Sequence, residues 1–221
     1  MKKFKNIYYA AVGLKAMAKQ GKGLKLKPNK DNLIEIVTID GTEISIHYVP
    51  DINKLGAIGA GLMHNVFKFC KKDFIAIDDY YMNMPSEIQE AMIAHELGHW
   101  QLGHLKNKGI KTVWSNCIQM GIMLKGSMDE QEALLRYTLL NRDYTQELEA
   151  DAYAVKRCGQ HGVLALLVAF NTLTGGTNDE VHKRYEHITG EKIPGTNNII
   201  DVIAKKISES PSIRLEDLDI D

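Results

Sequence analysis

The chain has 221 residues, 44% of them hydrophobic and 25% charged. That is enough apolar material to bury one sizeable core, and a formal net charge of −1 gives no overall bias toward nucleic acid, so no nucleic-acid partner is expected. No segment approaches the ~18 to 20 apolar residues of a membrane-spanning helix; the longest pure run, VLALLVAF, has eight.

In chain order, the first 30 residues hold nine lysines and no acid, whereas the other 191 hold 18 basic and 28 acidic side chains. The N-terminus is thus a basic arm on an acidic body. Ile7, Ala11, Leu14 and Ala18 recur at helical spacing and predict an amphipathic helix over about residues 4 to 20, followed by the linker-like GKGLKLKPNK. This arm reads as a solvated leader helix, although a basic arm could also touch nucleic acid or make weak contact with an anionic membrane surface. Its basic start, short apolar run and AMA triplet imitate an export signal. Lys15 interrupts that run, however, and the scattered cysteines Cys70, Cys117 and Cys158 show no secretory pattern. A cytoplasmic setting and reduced, core-facing thiols are therefore expected.

Residues 31 to 221 are expected to form a single domain. LIEIVTI and EISIHYV are alternating, β-branched runs joined by Asp40 and Gly41, the pair that suits a tight hairpin turn. DFIAID predicts a third strand. Between them, KLGAIGAGLMHN is glycine-rich without the G-K-[S/T] ending of a phosphate loop, and reads as an irregular connection. From Pro85 onward the pattern is helical. Ser86 and Gln89 fit a capping box, so a long helix should start there and run to about Leu105. Further helices are predicted at about 111 to 124, 129 to 141, 144 to 158, 161 to 173, 179 to 189 and 197 to 209, with Gly159, Gly175 and Gly190 as stops. A small N-terminal sheet and a helical C-terminal half define an α+β fold.

The first long helix contains AHELGHWQLGH. His95 and His99 lie one turn apart on one face and can bind one zinc ion through their imidazoles. Glu96 is rotated about 100° from His95 and about 60° from His99, which aims its carboxylate at the open coordination position, where a general base is needed. Ile88, Met92 and Leu102 share the histidine face and are expected to bury it. A catalytic zinc needs a third protein ligand. His104 is about 140° around a continuous helix from His99 and reads as a surface or helix-end residue. The metzincin pattern would require histidine and glycine where Leu105 and Leu102 stand, so that route fails unless the helix breaks at Gly103.

Downstream, RDYTQELEADAYAVKRCG supplies carboxylates on another helix. Glu147, Ala150, Asp151 and Ala154 share a face, while Glu149 projects about 160° away from Glu147. The two alanines permit close helix approach. Glu147 is therefore the expected third ligand. Asp151 is the expected acceptor for the second nitrogen of a ligating histidine.

HELGH followed after 47 residues by ELEAD resembles the paired H-E-x-x-H and E-x-x-x-D motifs of the M48 class of gluzincin zinc metallopeptidases, which includes the HtpX proteases. The resemblance covers about residues 73 to 175. It implies a zincin-like catalytic core with one zinc ion, Glu147 as the third ligand and Asp151 beside it. The chain departs from membrane members in lacking spanning segments, and Ser210 in SPSIRL stands where such proteins carry histidine. His182, Tyr185 and His187 are then the candidate transition-state stabilisers. HELGHWQLGH is also similar to the ImmA/IrrE type of peptidase, which acts on repressors.

The sequence thus predicts a zinc endopeptidase with Glu96 as general base, acting on an extended protein or peptide added along DFIAID as an exposed sheet edge. The alternatives are a repressor-directed peptidase, a non-catalytic module stapled by zinc, and a latent protease whose own N-terminal segment fills the cleft.

Overall fold

The computed structural model describes residues 6–15, 30–50, 52, 59–63, 73–104, 110–126, 143–174, 178–192 and 199–209. The described chain is α+β and divides into two compact units, Met1–Met84 with His99–Glu147, and Pro85–Gly98 with Leu148–Asp221.

The first unit holds the sheet. Helix α1 covers residues 6–15; a short 3-10 turn, Lys30–Asn32, leads into β1, Leu33–Ile39, and β2 follows at Thr42–Tyr48. The two strands pair antiparallel, with Ile39 opposite Thr42. Asp40 and Gly41 carry the turn at φ 49° and 73°, the doubly left-handed backbone that lets a two-residue hairpin follow the strand twist. β3, Ala60–Met63, and β4, Phe74–Ile77, complete a mixed sheet of order β1-β2-β4-β3, with β4 parallel to β2 and antiparallel to β3.

Two expectations are corrected by this topology. The glycine-rich stretch contributes a strand, β3, rather than only an irregular connection. DFIAID forms an interior strand flanked by β2 and β3, so it offers no edge to a substrate. All four residues of β4 are buried, as expected for a strand covered on both faces. Phe74 and Ala76 pack with Val49 and Ile52, and Met63 closes the cluster. Asp78 ends the strand and starts α2, Asp79–Met82, by accepting from the backbone N–H groups of Tyr80 and Tyr81 at 2.9 and 3.1 Å.

In the same unit α1 crosses α4, Ile110–Lys125, at backbone contact. A Cβ at Gly13 would lie 2.0 Å from the Cys117 carbonyl oxygen, and one at Gly121 would lie 1.9 Å from that of Tyr9. Only glycine permits so close a crossing.

The long helix α3, Ser86–Gln101, begins one residue earlier than a Ser86 cap would give. The Pro85 carbonyl already accepts from Ile88 and Gln89, both at 3.0 Å, so Ser86 is the first helical residue. The helix stops short of Leu105 as well. The second unit contains the first part of α3, most of α5, Tyr144–Cys158, and then α6, Gln160–Thr174, α7, Asn178–Thr189, and α8, Ile199–Glu209. α6 packs on α7 and α8. Gly159 and Gly190 end α5 and α7 at φ 83° and 72°, each donating its N–H to the carbonyl four residues back. The helix expected at 129 to 141 and the stop at Gly175 lie outside the described residues.

Cys117 is buried and Cys158 half-buried; both are free thiols. Burial, reinforced by Glu90, pushes the Cys158 thiol up to about 11, and its Sγ–H donates to the Ala154 carbonyl at 3.1 Å.

Candidate metal centre

From Ala91 to Trp100 no residue of α3 is exposed, so the histidines sit on a stretch of helix enclosed on all sides. Ala91, Met92, Ala94, His95, Leu97 and Trp100 are buried, while Glu96 and His99 are half-buried. Gly98 lets α5 come close. A Cβ there would meet the Ala150 Cα at 3.0 Å and its carbonyl oxygen at 3.1 Å. On α5, Glu147, Ala150, Asp151 and Ala154 are all buried and Glu149 is exposed, as the wheel requires. The close approach therefore carries two carboxylates toward the imidazoles.

His95 Nδ1–H donates to Asp151 Oδ1 at 2.9 Å, which leaves Nε2 as the ligand nitrogen. His99 points Nε2 at Glu147 Oε1, 3.5 Å away. Ligands at ~2.1 Å from a tetrahedral metal are about 3.4 Å apart, so this pair already has the spacing of two corners of one site. Donor atoms of His95, His99 and Glu147 all lie within 4.8 Å of one another. Two imidazoles and a carboxylate, largely withdrawn from water, can hold a metal ion, and among the described residues no fourth such side chain joins the group.

Asp151 is fully buried, yet it is an ionised group. Burial alone would raise its pKa, but the Arg184 guanidinium and the His95 hydrogen bond outweigh burial and hold the carboxyl down to about 2. Arg184 Nε and Nη2 donate to Oδ2 and Oδ1, each at 2.7 Å, a bidentate clamp. The charge fixes the His95 tautomer, and the clamp fixes the charge.

Sequence reasoning missed Arg184. Its signal lies in α7, where Val181, Tyr185 and Ile188 form the buried stripe and Arg184, also buried, interrupts it. A charge inside an apolar stripe requires a partner, and Asp151 supplies it.

Two residues are placed differently from expectation. His104 lies at the helix end, one of its two expected placements, but it is buried rather than at the surface, because the chain turns at Gly103 with φ 70° immediately after α3 and folds the histidine back. Its Nδ1 lies 2.8 Å from His99 Nδ1. The phase argument that put it at the surface assumed a continuous helix, which ends at Gln101. Leu102 is half-exposed for the same reason and does not bury the histidine face, whereas Met92 does.

Among the candidate stabilisers, Tyr185 is buried with its hydroxyl directed to Glu191 at 3.5 Å, His182 is half-buried, and His187 is exposed. None is in the group of metal donors. Ser210 lies outside the described residues.

Compared with protein-family models, curated proteins and solved structures, the chain matches none. No helix of the described residues is long and apolar enough to cross a membrane.

Proposed function

We propose that the protein is a zinc-dependent endopeptidase. The observation that carries this reading is the convergence of His95, His99 and Glu147 within 4.8 Å, with Glu96 one residue from a ligand. Two imidazoles and one carboxylate are a zinc donor set of the catalytic kind, three protein ligands with room for a fourth. When bound, the metal supplies a Lewis acid that acidifies water and polarises a scissile carbonyl. The chain's own residues do the rest. Asp151 and Arg184 orient His95. Glu96 accepts a proton from the attacking water and delivers it to the leaving amine nitrogen. The paired motifs that resemble M48 gluzincins support the same assignment.

Glu96→Gln tests it. The amide fills the same space and cannot accept the proton, so zinc content should match wild type while peptide hydrolysis falls by ~10² to 10⁴. If hydrolysis persists, the mechanism is wrong; if the wild type binds zinc but cleaves nothing from a peptide library, the metal is a staple in a binding module.

The substrate is an extended protein or peptide. Among the described strands it has β1 and β3 as the edges on which to pair, since β4 is interior. The basic N-terminal segment makes a weak contact with an anionic membrane surface, supported by half-exposed Ile7, Tyr8 and Leu14 on α1 next to exposed Lys15.

A further inference from the structure

His104 is a buried histidine with no place in the mechanism above, and its geometry is specific. Its backbone N–H donates to the His99 carbonyl at 3.0 Å. Its ring stands edge to face on that of His99, with centroids 5.0 Å apart at 73°. The two Nδ1 atoms are 2.8 Å apart. At that distance one proton lies between them: two N–H groups would collide, and two lone pairs would repel. Two arrangements satisfy this condition, with either ring as donor. They differ in what His99 presents on its other edge, where Nε2 faces Glu147. A neutral His99 that accepts at Nδ1 carries its proton on Nε2 and has no lone pair for a metal. A neutral His99 that donates from Nδ1 has its Nε2 lone pair directed toward the site.

We propose that His104 is a positioning residue for the metal centre, accepting the Nδ1–H of His99 at its own Nδ1 and so fixing the tautomer and ring orientation in which His99 Nε2 binds metal. It does for His99 what Asp151 does for His95. The turn at Gly103 is the device that delivers it, since its left-handed backbone, φ 70°, reverses the chain right after the helix. His104 itself is then an Nε2–H tautomer and not a ligand. The proposal rests on the reading of His99 as a metal ligand, but not on peptidase activity.

The test uses the full chain, zinc and three residue-104 side chains. In wild-type protein carrying 15N-labelled histidines and loaded with zinc, long-range proton–nitrogen correlation spectra should show His104 protonated at Nε2 only. They should also show a slowly exchanging proton on His99 Nδ1. His104→Leu fills the volume without an acceptor, and should lose that protected proton and bind zinc on the order of 10- to 100-fold more weakly in a chelator competition. His104→Asn places an amide oxygen near the former Nδ1 position and should recover most of the affinity. This rescue separates an acceptor from mere filling, and holds even if the leucine variant folds poorly. A His104 protonated at Nδ1, a leucine variant that binds zinc like wild type, or an asparagine variant no better than leucine each overturns the proposal. Wild-type protein that takes up no zinc overturns the ligand assignment beneath it, a distinguishable result.

Discussion

Asp151 is the most buried charge of the site, and its partners decide what removing it does. Asp151→Asn leaves the Arg184 guanidinium buried without its carboxylate, and should cost about 3 to 5 kcal/mol of folding stability in the metal-free protein. Replacing Arg184 and Asp151 together by leucines should cost much less, because both desolvated charges disappear together. Denaturant titration of the single and double variants checks this, and equal losses would show that the pair does not act as a unit. The same group sets an acid limit. Its pKa in the fold, about 2, lies below the 3.8 of an unperturbed aspartate. Its contribution is therefore complete above the unfolded value and is lost as pH falls through about 3.8 toward 2. Wild-type protein should lose stability in that window, and Asp151→Asn should not show this component. Asp151 was legible in the sequence because four residues from Glu147 is one helical turn. Arg184 was not, since it lies on another helix and nothing local pairs it with position 151.

At the scale of elements, the consequential feature is how α3 meets α5 and how α3 ends. Gly98→Ala sets two effects against each other. Alanine gains about 1 kcal/mol of helix propensity, but its Cβ would press on the Ala150 Cα, its carbonyl and the Tyr153 Cβ at 3.0 to 3.1 Å. Two of those three atoms are backbone and cannot rotate away, so overpacking, worth about 1 to 3 kcal/mol, should win. The variant should melt lower and bind zinc more weakly as the helices separate. Unchanged zinc affinity would mean that the close approach is not needed to bring Glu147 within reach. Helix ends marked by left-handed glycine were legible where the glycine directly follows the periodic run, as at Gly159 and Gly190. Gly103 is equally left-handed, but it sits among Leu102, His104 and Leu105 in a pattern that still reads as helix. The helix is therefore expected to end too late, and His104 is read as a surface or helix-end residue when it is a buried one at the helix end. β3 was illegible for a different reason: AGLM is four residues with a glycine, too short and too permissive to show period two, and it becomes a strand only by pairing with β4.

At the scale of the whole molecule, the division into a sheet-bearing N-terminal half and a helical C-terminal half followed from the change in hydrophobic period near Pro85, from two to 3.6. Charge follows a different partition, with nine lysines and no acid in the first 30 residues, and this partition makes the proposed membrane contact testable. On α1 the apolar side chains Ile7, Tyr8 and Leu14 remain half-exposed, as does Ile122 on α4. Apolar surface of this kind adds nothing to nucleic-acid binding but supports shallow insertion between lipid headgroups. Each lysine near an anionic surface contributes about 1 kcal/mol, so Lys2→Gln, Lys3→Gln and Lys5→Gln together should lower partitioning onto vesicles by roughly 100-fold. Ile7→Ser with Leu14→Ser should weaken it further at any salt concentration, whereas the lysine contribution should fade as ionic strength rises. The measurement is co-sedimentation of the full chain with phosphatidylserine-containing vesicles, using pure phosphatidylcholine as the neutral reference. Equal binding to the two vesicle types, or a lysine variant that sediments like wild type, would leave the basic segment as a solvated leader and remove the membrane from the list of partners.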